Sequence, residues 1–476
     1  MPRSTETPAR GVSALTGAIV VRLRKPARLR NLEAPFLLGA ILVVAAAVAL
    51  VELGTGAPFD PSLSWQLLGL GGLVVVVHVV LRVVAPEADP FVVPIAVLLG
   101  GIGIAQIHRI DIAEGLTGWD AAATRQVVWT AIAIVLAIAT LIVVRNHRTL
   151  SRYRYLAMLV ALILLVLPML PGIGKEVNGA RLWVEVGPMS FQPGEFAKVA
   201  LAVFFAGYLV TARDSLSMVG RRFLGMRLPR ARDLGPILIV FAASMLVLVV
   251  QRDLGTALLY FGLFLGMLYV ATGRLSWVVL GVVLFVGGAL VASRLLPYVG
   301  NRFAAWLDPF NPDFIEGQSY QLVQGLYGFA AGGTFGTGLG RGRPDITPLA
   351  GSDFIMASLG EELGLVGLFA ILALLLLFVG RAFRIGFSGG DDFGRLLAVG
   401  LGFAFALQVF VVVGGVTRVI PLTGLTTPFL AAGGSSLVAN WIIVALLLRL
   451  SDGVRRGPRI VIESATGDQP RLVVGA

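Results

Sequence analysis

Three kinds of residue are scarce in this chain of 476 residues, and each scarcity excludes a class of chemistry. Cysteine is absent, which excludes disulfides, thiolate nucleophiles and thiolate metal sites. Histidine occurs three times, at His78, His108 and His147, which leaves little material for a zinc site or a Ser-His-Asp triad. Charged residues make up only 14% of the sequence, against about a quarter in a soluble domain. Chemistry in this chain therefore rests on carboxylates, lysine, arginine and backbone dipoles.

Apolar residues make up most of the remainder. They account for 57% of the sequence, and the mean hydropathy is +0.88. Apolar runs of about 20 residues, the span that a bilayer requires, recur along nearly the whole chain. The pattern predicts an all-α polytopic membrane protein with about twelve transmembrane helices and two long extracellular loops. The predicted spans are residues 34–53, 65–84, 90–107, 127–144, 155–170, 195–211, 234–250, 254–272, 275–296, 354–379, 396–416 and 426–450.

The net charge of +11 is distributed in a way that argues against nucleic-acid binding. Basic residues concentrate in short segments between the apolar runs, at residues 22–30, 145–154, 213–232, 381–395 and 449–459. This is the positive-inside pattern of cytoplasmic loops, and an even number of spans then places both termini in the cytoplasm. Attraction to anionic membrane lipid is a secondary effect of the same charge.

Hydropathy and charge together divide the chain into four regions. Residues 1–31 are predicted to be a disordered basic cytoplasmic tail, and residues 32–170 the N-terminal transmembrane helices. Residues 171–451 form the membrane core that carries the functional residues, and residues 452–476 form a cytoplasmic C-terminal tail. The core has long extracellular loops at 171–193 and 297–352, and loops of this length are usually functional or disordered. Within the second loop, residues 320–327 are predicted to form a short amphipathic helix on the membrane surface.

The most informative carboxylate is Asp353, which precedes a predicted membrane helix where water meets hydrocarbon. Two interpretations, which do not exclude each other, are a helix N-cap and a general base whose pKa is raised by partial desolvation. Glu361 and Glu362 follow about 12–13 Å further along the same helix. Because ionisable groups in a bilayer cost about 2.5–3.5 kcal/mol each, they indicate function by default. Adjacent residues lie about 100° apart around a helix, so only one glutamate is expected to face the interior and pair with a basic residue.

Two further charged pairs are candidates for the site. Glu195 and Lys198 share one helix face, either as a structural pair or with Lys198 holding an anionic head group. Arg252 and Asp253 lie between two apolar runs in what is predicted to be a tight turn, where they form an ion pair and a cap or contribute to the site.

Two other segments leave alternatives open. The glycine-rich run at 336–342 fits neither the P-loop nor the dinucleotide pattern, which excludes a nucleotide site but leaves a backbone nest for a lipid pyrophosphate. Trp183, beside Arg181, is either an aromatic anchor at the membrane interface or a contact to the ligand.

Taken in order, these segments resemble the SEDS family, the RodA/FtsW proteins of bacterial cell-wall synthesis. The resemblance runs from about residue 175 to residue 450, and the run at 426–432 favours a RodA-like elongation role over a division role. The matching segments are residues 179–183 with 191–198, 252–256, 320–324, 352–355 with 360–364, and 420–424 with 428–429 and 433–436.

The resemblance implies a ten-helix core, preceded here by about two extra N-terminal helices. It implies a peptidoglycan glycosyltransferase that polymerises lipid II, the undecaprenyl-pyrophosphate-linked disaccharide peptide, on the outer face of a bacterial cytoplasmic membrane. The implied partner is a class B penicillin-binding protein, and a divalent cation, Mg²⁺ or Mn²⁺, is implied to support activity, with no metal ligand assigned in the chain. The catalytic role falls to Asp353. The implied substrate-binding residues are Lys198, Glu195, Arg181, Trp183, Asp253, Arg252, Gln321 and Gln324.

Two other functions compete with polymerisation. A flippase for lipid-linked precursors would also place charges such as Glu195 and Lys198 inside the membrane. Against it, no inverted repeat is evident in the sequence, and Asp353 lies at a membrane boundary and away from the midplane. The second alternative is a non-catalytic scaffold that activates a penicillin-binding protein.

Overall fold

A computed structural model describes residues 27–177, 180–186, 189–217, 222–223, 226–227, 235–456, 460–463 and 471–474. Most of the predicted N-terminal tail, residues 1–26, lies outside the described residues, and residues 27–31 belong to the first helix. The glycine at the start of the 179–183 motif and part of the C-terminal tail also lie outside them.

The described residues form fifteen α-helices and seven short strands. The helices are α1 (Ala27–Thr55), α2 (Pro61–Val84), α3 (Val92–Glu114), α4 (Ala122–Val143), α5 (Arg148–Arg152), α6 (Arg154–Val166), α7 (Pro193–Ser217), α8 (Gly235–Gln251), α9 (Leu254–Thr272), α10 (Leu275–Leu295), α11 (Pro297–Leu307), α12 (Tyr320–Gly332), α13 (Ile355–Phe387), α14 (Asp392–Val416) and α15 (Gly434–Arg456). The strands are β1 (Gly174–Val177), β2 (Ala180–Val186), β3 (Met189–Phe191), β4 (Arg222–Phe223), β5 (Met226–Arg227), β6 (Ile460–Glu463) and β7 (Arg471–Val474).

Ten of the described helices are long and apolar enough to cross a membrane: α1, α2, α3, α4, α7, α9, α10, α13, α14 and α15. Two more predicted spans correspond to shorter apolar helices, α6 with the 3₁₀ turn that follows it, and α8. The polytopic helical class is therefore confirmed, and the count of twelve spans stays a prediction.

Ion pairs gather the basic segments at one end of the helix bundle, which we call the basic end. Asp89, between α2 and α3, pairs with Arg381 of α13 and with Arg455 at the end of α15. Asp391, between α13 and α14, lies 3.3 Å from Arg148 of α5. These pairs join segments that are far apart in sequence. Each of them gives an arginine at the basic end an acidic partner.

The opposite end of the bundle, which we call the site end, carries both long loops. The loop at 171–193 contains a three-stranded antiparallel sheet in the order β1-β2-β3, which the sequence analysis did not predict. In the register of the sheet, Lys175 lies opposite Trp183 and Glu176 opposite Arg181. The alternation of charged and apolar residues in β2 is typical of a strand with one covered face.

The second loop, at 297–352, contains α11 and α12. A helix at residues 320–327 was predicted correctly, and α12 packs against α13, while its position on the membrane surface stays a prediction. A methyl group on Gly325 would lie 2.6 Å from the ring of Phe354, and one on Gly332 would lie 2.1 Å from the Gly360 carbonyl oxygen. Glycines spaced three to four residues apart, with Gly328 between these two, let the helices approach closely.

The segment between α14 and α15, residues 417–433, runs back into the bundle without regular structure. Phe429 anchors it in the core, with its ring centroid 5.8 Å from Phe405 and 6.3 Å from Trp441. Irregular backbone at this depth is tolerated where it is buried in protein or lines a cavity. The segment therefore brings polar backbone to the site end of the bundle.

Candidate active site

The turn at residues 349–354 places Asp353 directly before α13. Two donors from outside the turn hold its backbone: Ser358 Oγ donates to the Ala350 carbonyl at 3.1 Å, and Ala432 N donates to the Gly351 carbonyl at 2.8 Å. The position of Asp353 is thus set by α13 on one side and by the 417–433 segment on the other.

Asp353 does not cap α13. The cap position belongs to Phe354, and no side-chain hydrogen bond caps the helix. Among the described residues, no hydrogen bond to the Asp353 carboxylate is found, although the residue is only partly exposed. Of the two interpretations drawn from the sequence, the cap is therefore wrong, and the carboxylate is left available for chemistry.

Burial raises the pKa of the Asp353 carboxyl from 3.8 to about 7, and the charge of Asp253 adds to the rise while that of Arg302 opposes it. The Asp353 carboxylate also lies beside Gly424, where a methyl group would come within 3.7 Å of Oδ2. Gly424 has φ 78°, a left-handed conformation that favours glycine, so a side chain there is disfavoured next to the carboxylate. A carboxyl that titrates near neutral pH is suited to general-base chemistry.

Asp253 caps α9, as the turn prediction allowed. Its Oδ1 accepts the Thr256 N–H at 2.9 Å, and its Oδ2 accepts the Thr256 hydroxyl. Burial raises the pKa of Asp253, while the Thr256 hydrogen bonds and the charge of Arg302 lower it. Both oxygens are thus engaged within the protein, which distinguishes Asp253 from Asp353.

Arg302 of α11 links this site to the 417–433 segment. Its guanidinium donates to the Thr423 carbonyl at 3.1 Å and to the Leu422 carbonyl at 3.4 Å. A second link runs between Trp306 of α11, whose Nε1 donates to the Arg418 carbonyl at 3.1 Å, and Arg418, whose Nε donates to the Trp306 carbonyl at 2.8 Å. These links hold α11 against the 417–433 segment. The charge of Arg302 there acts on both Asp353 and Asp253.

Arg252 completes the arrangement. Its guanidinium lies 5.9 Å from the ring centroid of Tyr298, within the range of a cation–π contact. Tyr298 and Arg302 are four residues apart on α11 and so share one face of the helix. Burial raises the pKa of Tyr298, and the charges of Arg302 and Arg252 oppose the rise. We call these five residues the Asp353 cluster: Asp353, Asp253, Arg252, Tyr298 and Arg302.

Glu195 and Lys198 of α7 form a buried pair. Lys198 is 2% exposed, and its Nζ donates to Glu195 Oε2 at 2.5 Å and to Gln408 Oε1 at 2.8 Å. Gln408 in turn donates to the Thr426 carbonyl at 3.0 Å, which connects the pair to the 417–433 segment. The geometry favours the structural alternative that the sequence left open, and substrate binding by Lys198 stays a prediction.

A second group of carboxylates, on α13, has a different environment. Glu362 Oε1 accepts the Arg109 Nε at 2.9 Å and the Gly342 N–H at 3.3 Å, while its Oε2 accepts the Gly340 N–H at 3.0 Å. Glu361 Oε1 accepts the Arg343 N–H at 2.6 Å. We call this group the glutamate cage: Glu361, Glu362, Arg109, Gly340, Gly342 and Arg343.

The glutamate cage changes two expectations from the sequence. The glycine-rich loop does form an anion nest, but the anion that it holds is the Glu362 carboxylate, so a pyrophosphate nest there is wrong. Glu362 pairs with an arginine as expected, yet Glu361 is buried too, at 7% exposure. Both side chains reach the loop because it curls around α13 where the helix is interrupted at Gly364, which has φ 66° and ψ −171°.

The contacts found for the remaining predicted site residues are with partners other than Asp353. Arg181 Nε donates to Glu176 Oε2 at 3.1 Å across the β-sheet. Gln321 Nε2 donates to the Pro348 carbonyl at 3.1 Å, so it holds the start of the turn. Trp183 and Gln324 are half-buried, and no contact within the described residues joins either side chain to the Asp353 cluster.

Sequence reasoning missed Arg302, Tyr298 and Arg109 as members of these sites. A signal existed for the first two, because they lie four residues apart directly after Pro297 and so mark one face of a short helix. For Arg109, the signal was an arginine near the end of an otherwise apolar span, which requires a partner.

The fold and the Asp353 cluster define a polytopic helical membrane protein with a carboxylate–arginine site at one end of its bundle. Comparisons with known proteins identify the class more closely. A family model described as "Cell cycle protein", for FtsW, RodA and SpoVE, matches residues 90–456. The chain belongs to this family. The match begins two residues before α3, so α1 and α2 lie outside it.

Individual relatives agree with this assignment. The chain is 44% identical over 435 residues to the peptidoglycan glycosyltransferase RodA of Mycobacterium bovis, covering 90% of this chain and 91% of the relative. It is also similar to a solved structure of a peptidoglycan synthase complex, with TM-score 0.60 and 26% identity over 76% of this chain and 97% of the other. The crystal structure of the rod shape determining protein RodA of Thermus thermophilus matches with TM-score 0.54 and 25% identity, over 76% and 96% of the two chains.

Proposed function

We infer that this protein is a peptidoglycan glycosyltransferase, a multi-pass enzyme of the bacterial inner membrane. The observation that carries the inference is the Asp353 carboxylate, whose backbone turn is held in place and which lies within the field of Arg302, in a chain 44% identical to a peptidoglycan glycosyltransferase. The relatives named RodA and the 426–432 run favour a role in elongation over one in division. The substrate that we propose is lipid II.

The proposed reaction forms a glycosidic bond between two sugars and breaks the bond between a sugar and a lipid pyrophosphate. Asp353 accepts the proton of the attacking 4-hydroxyl as the new bond forms. The pyrophosphate leaves with its electron pair, and Arg252 and Arg302 are placed to stabilise the negative charge that develops on it. Asp253 acts indirectly, because its charge keeps the pKa of Asp353 raised.

A divalent cation, Mg²⁺ or Mn²⁺, stays part of the proposal. The described residues contain no group of three or more His, Asp and Glu side chains that could hold a metal ion, so they do not build a site from protein ligands alone. Mg²⁺ is often held by substrate phosphates with few protein ligands, and a cation would therefore enter with the pyrophosphate. Polymerisation rates after chelation, with and without each cation added back, test this.

Partner and orientation are also proposed. A class B penicillin-binding protein is the proposed partner, and the likeness to a peptidoglycan synthase complex supports it. The site end is proposed to face outward and both termini to lie in the cytoplasm, which the gathering of arginines at the basic end supports.

The experiment combines purified protein, labelled lipid II and a transpeptidase-inactive partner in detergent, where no membrane gradient exists. We expect glycan strands from the wild type and at least about a hundredfold loss in Asp353→Asn. Asp313→Asn, at an exposed aspartate in the loop at 297–352 that precedes Asp353, is the matched control and should retain the wild-type rate.

The outcomes separate the alternatives. Strands from Asp353→Asn at the wild-type rate would exclude the base role. Equal strand synthesis by the partner alone would favour a scaffold. Lipid II that crosses vesicle membranes without being polymerised would favour a flippase.

A further inference from the structure

A cavity of about 510 Å³ lies between the two N-terminal helices and the helices of the family core. Residues of α1 and α2 form one part of its lining, and residues of α3, α4 and α15 form the rest. None of its lining residues belongs to the Asp353 cluster or to the glutamate cage. Helix α1 lines the cavity and ends against the glycine-rich loop of the cage. Because α1 and α2 precede the family match, the cavity is partly built by this chain's additional segment.

The cavity lies at the depth of the membrane hydrocarbon. Its lining on α1 runs from Ile41 to Glu52, about 16 Å at about 1.5 Å per residue, or roughly half of the hydrocarbon thickness. Leu68 and Val75 of α2 line it as well and are 64% and 55% exposed, so the cavity opens to the membrane along α2. Its apolar walls exclude water as the filling material.

Small residues keep the cavity open. Gly100 of α3 is buried, yet a methyl group at its Cα would meet no atom within 4 Å. Gly71 of α2 lines the same space and also has no neighbour within 4 Å. Open apolar space of this size inside a tightly packed bundle is unfavourable when empty, and at this depth lipid chains are the material that fills it.

Polar groups mark the end of the cavity nearest the site end. Glu52 lines it there, is 2% exposed, and accepts the Asp60 N–H at 3.1 Å through Oε1. The Nε2 atom of His108 lies 3.4 Å from the same oxygen and has no hydrogen-bond partner among the described residues. A carboxylate at this position repels an anionic head group and favours one that carries a hydrogen-bonding ammonium.

We propose that this cavity binds one chain of a membrane lipid from the leaflet at the site end, with a zwitterionic ammonium head group against Glu52. The bound chain fills the space between α1, α2 and the core. The end of α1 also contacts the glycine-rich loop, where a methyl group on Gly54 would lie 2.1 Å from the Leu339 carbonyl oxygen. The lipid therefore supports the helix that packs on the glutamate cage.

Quenching of tryptophan fluorescence by brominated lipid chains tests the proposal. Trp441 lines the cavity and is 2% exposed, so a quencher confined to the protein surface reaches it poorly. The signal of Trp441 is the difference in tryptophan emission between a protein that has Trp441 and the same protein with Trp441→Phe. It is measured in detergent with dibrominated phosphatidylethanolamine added. We expect that difference to be quenched in the wild type and at least threefold less quenched in Gly100→Leu, which fills the cavity.

Gly69→Leu is the matched control, because Gly69 is exposed on α2, has no neighbour within 4 Å and does not line the cavity. It should be quenched like the wild type. An unquenched Trp441 in the wild type, or equal quenching in Gly100→Leu, would overturn the cavity as a lipid site.

The head group is tested on the wild type by comparing dibrominated phosphatidylethanolamine with dibrominated phosphatidylglycerol. We expect at least threefold stronger quenching by the ethanolamine lipid, and a smaller preference in Glu52→Gln. Equal quenching by both lipids in the wild type would overturn the assignment of the ammonium head group, whether or not the variant folds.

Discussion

The Asp353 cluster and the glutamate cage both place carboxylates at the site end of α13, but they differ in how their oxygens are satisfied. Glu362 is 1% exposed and accepts hydrogen bonds from Arg109 and from two backbone amides. Asp353 is also largely removed from water and has no such partners among the described residues. Burial is thus common to both groups, and the missing hydrogen bonds identify the reactive one.

The difference assigns a separate task to each group. The cage joins α3, the glycine-rich loop and α13 through one carboxylate, so it stabilises the fold. The Asp353 cluster leaves one carboxylate without hydrogen bonds from the described residues and within the field of Arg302, which costs stability and provides a base that works near neutral pH.

The largest expected effect on stability comes from the cage. Glu362→Gln leaves the buried Arg109 without a counter-charge, which is expected to lower the free energy of unfolding by about 3–5 kcal/mol. Melting in detergent, followed by circular dichroism, measures it. Glu316→Gln, at an exposed glutamate of the loop at 297–352, is the control and should melt like the wild type. A Glu362→Gln variant as stable as the wild type would remove the contrast between the two groups.

The next effect is the pH dependence of the wild type. The base must be ionised, and its pKa is about 7, so the polymerisation rate should fall about tenfold per pH unit well below 7 and level off above it. Initial rates with lipid II across about pH 5 to 9 measure this profile. A midpoint near 4, the ordinary value of an aspartate, would contradict the account.

Arg302 should set the position of that midpoint. Its positive charge lowers the pKa of Asp353, so Arg302→Gln should move the midpoint to higher pH by an amount on the order of 1 kcal/mol, and it should also lower the rate above the midpoint because the leaving pyrophosphate loses a positive charge. Arg294→Gln, at an exposed position at the end of α10, is the control with the same change of charge. Equal midpoints in the two variants would separate Arg302 from the base.

The smallest expected effect concerns the turn. Gln321→Ala removes the hydrogen bond to the Pro348 carbonyl, a contribution of about 1 kcal/mol, and should lower the polymerisation rate less than tenfold without moving the pH midpoint. Gln318→Ala, on the exposed approach to α12, provides the comparison. A shifted midpoint in Gln321→Ala would show that the turn affects the carboxyl directly.

The helices could be predicted from the sequence because the membrane sets the length of each apolar span, and that length is visible in a single stretch of residues. The predicted span at 254–272 coincides with α9, and that at 275–296 differs from α10 by one residue. Asp353 was found for a similar reason, since a carboxylate at the start of an apolar run is visible in the sequence.

Contacts between distant segments could not be predicted in the same way. Arg109 meets Glu362 across 253 positions of the chain, and Arg302 meets the Thr423 carbonyl across 121. Neither partner is marked by local periodicity. The cap role of Asp353 failed for a related reason, because the helix begins two residues later and the 417–433 segment supports the turn.

The most direct test measures rate and melting temperature together in Asp353→Asn, at about pH 5.5 and about pH 8. A folded pKa of about 7, above the ordinary 3.8, means that the wild type loses stability progressively as the pH rises from about 4 to about 7, and that the loss is complete above 7. We predict that the rate is lost, and that the variant melts at a higher temperature than the wild type at both pH values, by more at pH 8 than at pH 5.5. A retained rate, or a melting temperature that falls at pH 8, would contradict the assignment of Asp353 as an unsatisfied catalytic carboxylate.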